Sequence, residues 1–170
     1  PRSRPGAYRP RRQGHDAPAL FPAGPPAATP ADMSTPHLLP VQVWYEDTDM
    51  GGIVYYANYL KFIERGRSDW IVGLGLDQEA LRLAGTVFAV RLEADYLAPA
   101  RFGDVLQVET VPGLLRGARL EMAQRVLRDD TVLFTAQVTL VALGPSGRPA
   151  RLPDALRGQL APKARAPGQD

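Results

Sequence analysis

Apolar and polar residues alternate along most of the chain between residues 37 and 160, with the period of half-buried β-strands. The alternation predicts a first strand at about 41–46, in which Val41, Val43 and Tyr45 share one face. Four further strands are predicted at 88–96, 105–111, 119–127 and 131–143. The pair Asp129-Asp130 predicts a tight hairpin turn between the last two of these strands.

Between the first two strands the period changes to that of an amphipathic helix, predicted from Tyr56 to Leu74. Its apolar stripe consists of Tyr59, Phe62, Ile63, Gly66, Trp70 and Leu74. A glycine in a helix interior costs about 1 kcal/mol relative to alanine, so we expect Gly66 to mark a close approach of the helix backbone to the sheet. Gly73 and Gly75 indicate the end of this helix, and a shorter one is predicted at 77–84.

One strand, a long helix and four antiparallel strands define an α+β fold in a single domain at 37–160. A single sheet with one helix on one face leaves its other face and its edges uncovered. We therefore expect a homo-oligomer, in which copies of the chain cover these surfaces for one another.

The composition excludes several kinds of catalytic site. The chain has 170 residues, no cysteine, and two histidines, His15 and His37. Disulfides, thiolate zinc sites and cysteine nucleophiles are therefore excluded. A serine–histidine triad in the body of the domain is excluded as well. Any acid–base chemistry there must use carboxylates, tyrosines or backbone groups.

The formal charge of +2 is unevenly distributed along the chain. Residues 1–36 are rich in Pro, Ala and Gly and carry +3, whereas the remainder carries −1. We expect residues 1–36 to be a disordered extension, rather than an anion-binding arm, with the natural start near Met33. Residues 161–170 are expected to be a disordered tail. Because the basic pI belongs to the extension, no nucleic-acid partner is predicted.

No apolar run reaches the roughly 18 residues that a transmembrane helix needs, and the opening stretch lacks the apolar core of a secretory signal. These features predict no stable membrane insertion and a cytoplasmic location.

The densest cluster of functional side chains is the run YEDTDMGG at 45–52, just ahead of the predicted helix. It fails as a calcium loop because Asn58 stands where a bidentate glutamate is required. A helix N-terminus has unpaired N–H groups that can stabilise an oxyanion. A nearby carboxylate could then attack a carbonyl carbon or deprotonate water. The aspartates could instead only cap the helix and tie the loop together, and spacing alone leaves both interpretations open.

The run YEDTDMGGIVYYANYLKFIERGRSDW closely resembles the signature of the 4-hydroxybenzoyl-CoA thioesterase branch of the hotdog fold. Within that branch it is most similar to the tol–pal-associated acyl-CoA thioesterases. The likeness is dense over 43–70, and the strand order fits over about 40–152. It implies an antiparallel sheet wrapped around a long helix. It also implies that the subunits form dimers or tetramers with active sites between them. It also implies an acyl-CoA thioesterase that uses no metal or redox cofactor, with acyl carrier protein left open as a partner.

The resemblance also assigns site residues. The family's catalytic aspartate corresponds to Asp49, and the backbone N–H that polarises the thioester carbonyl corresponds to Tyr56. Substrate-binding positions correspond to Tyr45, Gly52 and Arg116, with Arg116 near the nucleotide phosphates. Whether Tyr45 lines the acyl pocket or simply packs, and whether Arg116 is an ordinary solvated arginine, is open at this point. Many tol–pal-associated members have histidine where this chain has Tyr56, but a backbone N–H does not depend on the side chain.

Glu64 is the main rival for the catalytic carboxylate, because a related hotdog branch places its base on the central helix. Its spacing to Arg67 favours an i,i+3 ion pair instead, and Asp47 is expected to be structural. Two further functions compete with hydrolysis. A non-catalytic acyl-CoA binding module would not need Asp49, and a hotdog hydratase or dehydratase would pair an aspartate with a histidine that the body lacks beyond His37.

Overall fold

A computed structural model describes residues 36–152 together with Asp154 and Arg157. The predicted tail at 161–170, and the predicted extension up to residue 35, lie outside the described residues. The elements are β1 (His37–Gln42), a 3₁₀ helix (Tyr45–Asp47), α1 (Asn58–Gly73), α2 (Gln78–Leu83), β2 (Val87–Tyr96), β3 (Val105–Arg116), β4 (Arg119–Arg128) and β5 (Thr131–Leu143). Within the described part, none of the helices has the length and apolarity to cross a membrane.

The five strands form one antiparallel sheet in the order β1-β3-β4-β5-β2. Strands β4 and β5 are joined by the predicted two-residue turn, in which Asp129 adopts a φ of 52°. Strand β3 extends to Arg116, beyond the expected end at 111, because its pairing with β4 resumes after a bulge between Pro112 and Leu115. Strands β1 and β2 are the two edges of the sheet.

The position of the first strand differs from the expectation. It ends at Gln42, and the chain then turns through the 3₁₀ helix, because the Asp47 carboxylate accepts a hydrogen bond from the Trp44 N–H at 2.9 Å. Tyr45 is consequently 82% exposed and does not share the buried face of the strand. Period-two alternation could not reveal this turn, because the carboxylate that closes it lies beyond the alternating segment.

The core lies between helix α1 and one face of the sheet. The helix contributes the predicted stripe, in which Leu74 is half-buried and the other members are buried. The largest buried apolar side chains that the sheet contributes are Leu106, Val108, Leu120, Met122, Val126, Leu133 and Phe134. Full burial of one such side chain stabilises the fold by about 1.5–3 kcal/mol, so this contact dominates the packing of the domain.

Helix α1 approaches the sheet closely at Gly66, as expected. A Cβ added to this glycine would lie 2.7 Å from Cγ1 of Val108 and 3.1 Å from Oγ1 of Thr110. Both of these side chains are fully buried on β3 and are branched at Cβ, so they have little freedom to move aside. The glycine is therefore required by the distance between the helix and the sheet.

A buried polar network lies beside this contact. Nε2 of Gln124 donates to the Ile63 carbonyl and to the Thr110 hydroxyl, each at 2.8 Å, and its Oε1 accepts from Arg67 at 2.7 Å. Burial lowers the pKa of Arg67 below its ordinary value, and the charge of nearby Glu64 partly opposes this.

The expected ion pair between Glu64 and Arg67 is wrong for the described residues. The Arg67 guanidinium is directed to Gln124 in the core, whereas Glu64 is exposed and accepts a hydrogen bond from the Ser68 hydroxyl at 2.8 Å. Helical spacing places the two residues on adjacent turns, but it does not reveal that a buried amide competes for the arginine.

We expect Gly66→Ala to lower the free energy of unfolding by about 1–3 kcal/mol, the usual cost of overpacking a filled core. Gly73→Ala, at the end of the same helix, is the matched control, because no heavy atom lies within 4 Å of its added Cβ. Urea unfolding of both variants measures the difference. Equal stabilities would contradict the close approach.

Candidate active site

The polar run after the 3₁₀ helix folds into a tight hairpin that presents Asp49. Thr48 and Val54 form an antiparallel bridge, and the Asp49 N–H donates to the Ile53 carbonyl at 3.0 Å. The turn is closed by the Gly52 N–H, which donates to the Asp49 carbonyl at 3.0 Å. Gly52 has a φ of 71°, in the left-handed region that glycine adopts without strain. Gly52 therefore shapes the turn on which Asp49 stands.

The Asp49 carboxylate is exposed. Its Oδ1 accepts a hydrogen bond from the Gly51 N–H at 2.8 Å, and Oδ2 has no hydrogen-bond partner among the described residues. An open depression of about 330 Å³ is lined by Asp49, Tyr45, Thr48 and Met50. A carboxylate in this position is accessible to a substrate, and Tyr45 and Met50 provide an apolar surface beside it.

Asp47 has a different environment, although it is only two residues away. It is 7% exposed, and its carboxylate accepts a hydrogen bond from the Trp44 N–H. Its carbonyl accepts from the Tyr55 N–H at 2.9 Å and from Nδ2 of Asn58 at 3.0 Å. Asp47 thus ties the 3₁₀ helix to the start of α1, which agrees with the structural role expected for it.

The start of helix α1 lacks a side-chain cap. Ala57 precedes the first helical residue and cannot supply one, and the carboxylates of Asp47 and Asp49 bind other N–H groups. No backbone hydrogen bond donated by Tyr56 or Ala57 occurs within the described part of the chain. The expectation that the aspartates could cap this helix is therefore wrong, whereas both carboxylates do bind backbone N–H groups of the loop, as the same alternative expected. The helix N-terminus keeps its partial positive charge and two N–H groups for another acceptor.

Asp49 and the helix start belong to one small region of the surface. The Thr48–Val54 bridge and the hydrogen bond from the Tyr55 N–H to Asp47 fold the intervening chain back on itself. The pKa of the Tyr55 phenol is raised, chiefly by the neighbouring Tyr56 side chain and to a smaller extent by the negative charge of Asp49. The field of the Asp49 carboxylate therefore reaches the residue that precedes Tyr56.

Tyr96 also contacts the helix start, and sequence reasoning missed it. This residue ends strand β2, and its hydroxyl donates to the Tyr56 carbonyl at 3.1 Å. Its ring packs edge-on against Tyr56, with centroids 6.2 Å apart. The alternating pattern identified Tyr96 as a strand residue, but no signal in the sequence relates it to a position forty residues earlier.

Arg116 and Asp49 are not brought together within one chain. The chain leading to Asp49 is anchored at the start of β3, where Val43 exchanges backbone hydrogen bonds with Gly103 and Asp104. Arg116 is exposed at the opposite end of β3, roughly 35 Å along the strand at its usual rise per residue. A single chain therefore places these two predicted site residues at opposite ends of the sheet.

Known proteins are similar to this chain in both sequence and fold. The family described as the thioesterase-like superfamily matches residues 43–160. The acyl-CoA thioester hydrolase YbgC of Escherichia coli O6:H1 is 38% identical over 120 residues, which cover 69% of this chain and 90% of that protein. The acyl-CoA thioesterase YbgC of Haemophilus influenzae is 40% identical over 109 residues, which cover 62% of this chain and 80% of the relative.

A crystal structure of a probable thioesterase from Bartonella henselae superimposes with a TM-score of 0.67 and 35% identity, over 70% of this chain and 100% of that one. An antiparallel sheet against a long helix, shared with such neighbours, is the hotdog fold. The chain belongs to the thioesterase-like superfamily and is a thioester hydrolase.

We expect Asp47 to contribute to the stability of the domain and Asp49 to contribute little to it. Asp47→Ala should lower the free energy of unfolding by about 1–2 kcal/mol, because it leaves the Trp44 N–H without its acceptor. Asp49→Ala removes an exposed side chain and should change it by no more than about 0.5 kcal/mol. Thermal or urea unfolding of the two variants tests this, and a larger loss for Asp49→Ala would reverse the assignment.

Proposed function

We propose that this hydrolase cleaves acyl-CoA thioesters with the Asp49 carboxylate and the Tyr56 backbone N–H. The observation that carries the proposal is an exposed carboxylate, held by a glycine turn, beside an uncapped helix start. The names of the relatives from E. coli and H. influenzae support an acyl-CoA substrate. The intact carboxylate also favours a hydrolase over a non-catalytic acyl-CoA binding module.

Two routes use the same groups. As a general base, Asp49 takes a proton from water, and the resulting hydroxide attacks the thioester carbonyl carbon. As a nucleophile, Asp49 attacks that carbon itself and forms a mixed anhydride, which water then hydrolyses. In both routes the Tyr56 N–H stabilises the negative charge on the carbonyl oxygen of the tetrahedral intermediate. The C–S bond breaks when this intermediate collapses and the carbonyl double bond re-forms. The products are the free acid and coenzyme A.

The leaving group explains why the proposed site does not need a histidine as general acid. Coenzyme A leaves as a thiolate, which is far less basic than the alkoxide or amine that a serine protease or esterase must protonate. A carboxylate and a backbone N–H are then sufficient. The described part of the domain contains one histidine, His37, which contacts Asp69 on α1 at 2.7 Å.

The acyl group has an apolar surface available beside Asp49. Tyr45 and Phe102 pack edge to face with centroids 6.5 Å apart, and together with Met50 they are strongly exposed. We propose that this surface contacts the acyl chain, so that Tyr45 belongs to substrate binding and not to the core. Acyl carrier protein is a second carrier of the acyl group to be tested. We also propose a cytoplasmic location, because that is where an acyl-CoA substrate would be met.

The test is thiol release from a panel of short-chain, long-chain and aromatic acyl-CoAs, with the same acyl groups on acyl carrier protein. We expect Asp49→Asn to lower kcat by about 10²–10⁴-fold, the usual contribution of a general base. Glu64→Gln is the matched control, because this exposed helix carboxylate should leave kcat within about twofold. Near-normal turnover in Asp49→Asn, or a large loss in Glu64→Gln, would move the assignment to the helix.

We further propose that two copies of the chain pair through β2. This ten-residue edge strand pairs with β5 on one side, and Val87 and Val90 are about half exposed on it. An unpaired strand edge favours pairing with another strand. If a two-fold axis passes at Leu92, antiparallel pairing sets Arg91 opposite Glu93 of the second copy, and Glu93 opposite its Arg91. Arg91 and Glu93 also pair with each other within one copy of the strand. The strand is therefore complementary to itself in charge.

Such pairing has a consequence for the site. The two-fold axis reverses the second sheet, so its β3–β4 hairpin faces the same end of the joined sheet as Asp49 of the first copy. Arg116 on that hairpin would then be on the side where coenzyme A binds, with a guanidinium suited to phosphate groups. Residues that lie at opposite ends of one chain would serve one substrate across the pair.

Charge reversal tests the pairing. Each cross-strand pair of opposite charges contributes roughly 0.2–1 kcal/mol, so loss of two pairs in Arg91→Glu should raise the dimer dissociation constant by roughly 2–30-fold, and the repulsion between the glutamates should raise it further. The double variant Arg91→Glu/Glu93→Arg should restore it. Arg119→Glu is the matched control, because it breaks the pair that Arg119 forms with Glu121 within one strand, as Arg91→Glu does with Glu93, but on interior strand β4. Sedimentation that is unchanged by Arg91→Glu would exclude this edge.

A further inference from the structure

The Tyr96 hydroxyl binds the residue that carries the proposed oxyanion donor. It donates to the Tyr56 carbonyl at 3.1 Å. The Tyr59 N–H also donates to this carbonyl, at 3.3 Å, and each distance lies just beyond the usual range for its type of hydrogen bond. The hydrogen bonds of α1 begin at the N-cap residue Ala57, whose carbonyl accepts from the Leu60 N–H at 3.1 Å, so Tyr56 lies just outside the regular helix. The phenol is therefore one of two groups that restrain the Tyr56 carbonyl, and the one that comes from outside the helix.

The phenol is itself held firmly. The Tyr96 ring packs edge-on against Tyr59, with centroids 5.7 Å apart, and against Phe134 at 5.0 Å. Both neighbours are buried and stack on each other at 5.2 Å, and the Tyr59 hydroxyl accepts from the Ala100 N–H at 2.9 Å. The backbone of Tyr96 is fixed as well, because it pairs with Phe134 on β5. The hydroxyl is therefore anchored to the core of the sheet.

We propose that Tyr96 is a positioning residue for hydrolysis, whose hydroxyl holds the Tyr56 carbonyl and thereby orients the N–H groups at the helix start toward the developing oxyanion. The inference rests on the proposed function of Tyr56. An oxyanion donor is effective when it is already in place and does not reorganise during the reaction. The hydrogen bond to the Tyr56 carbonyl also polarises the peptide it shares with Ala57, which strengthens the Ala57 N–H as a donor.

The protonation state agrees with this geometry. Burial raises the pKa of the Tyr96 phenol above its ordinary value, with a smaller contribution from Tyr56. The hydroxyl is therefore protonated, and able to donate, throughout the neutral and mildly alkaline range.

Tyr96→Phe removes the hydroxyl and keeps the ring. We expect kcat to fall about tenfold, a fraction of the 10²–10³-fold that loss of a whole oxyanion donor costs. The dissociation constant of a non-hydrolysable acyl-CoA thioether, which lacks the carbonyl, should stay within about twofold, and Tm should change little. Tyr59→Phe is the matched control, because it removes a hydroxyl from the same cluster that binds Ala100 and not the helix start. It should lower Tm and keep kcat within about twofold.

Three results would overturn the inference: kcat of Tyr96→Phe within twofold of the unaltered protein, a loss matched by weaker thioether binding and lower Tm, or an equal loss of kcat in Tyr59→Phe. These results differ from failure of the proposed function. If the unaltered protein releases no thiol from any substrate, or Asp49→Asn keeps full activity, the proposed function falls and this inference falls with it. If Asp49→Asn is inactive and Tyr96→Phe is normal, only the role of Tyr96 is lost.

Discussion

The structure depends on one contact, the close packing of helix α1 against strands β3 and β4 at Gly66. The missing side chain lets the helix backbone approach the buried face of the sheet, and the Gln124 network satisfies the polar groups beside it. This contact sets the position of the helix axis, and the axis in turn sets where the helix begins. Because the uncapped N-terminus is the proposed oxyanion site, a glycine in the core helps to position chemistry at the surface.

The connection from β1 to α1 places the carboxylates of Asp47 and Asp49 in different environments. Asp47 is buried and holds the backbone of the connection together, whereas Asp49 stands exposed on a turn that Gly52 closes. Their separation of two residues is enough, because the 3₁₀ helix and the following hairpin direct them to different environments. A rigid first carboxylate thus supports an accessible second one, as a preorganised site requires.

Sequence reasoning predicted the elements of the fold well because they are determined by local periodicity. The strands at 88–96, 119–127 and 131–143 and both helices lie within about two residues of their predicted bounds. The first strand was placed too late, because the turn that ends it depends on a hydrogen bond from Trp44 to Asp47. The expected ion pair of Glu64 was wrong because the Arg67 side chain is buried and binds the Gln124 amide on another element.

The sequence by itself determined the order of the elements, the apolar face of α1 and the need for a glycine in it, and it led to the proposal of a carboxylate-based site without histidine. These follow from residue types and spacings along the chain. Tertiary structure alone decided which aspartate is buried, that neither caps α1, that Tyr96 reaches the Tyr56 carbonyl, and that Arg116 lies far from Asp49. The physical reason is that hydrogen bonds and burial depend on distances in space, which the pairing of distant strands creates and which no local pattern encodes.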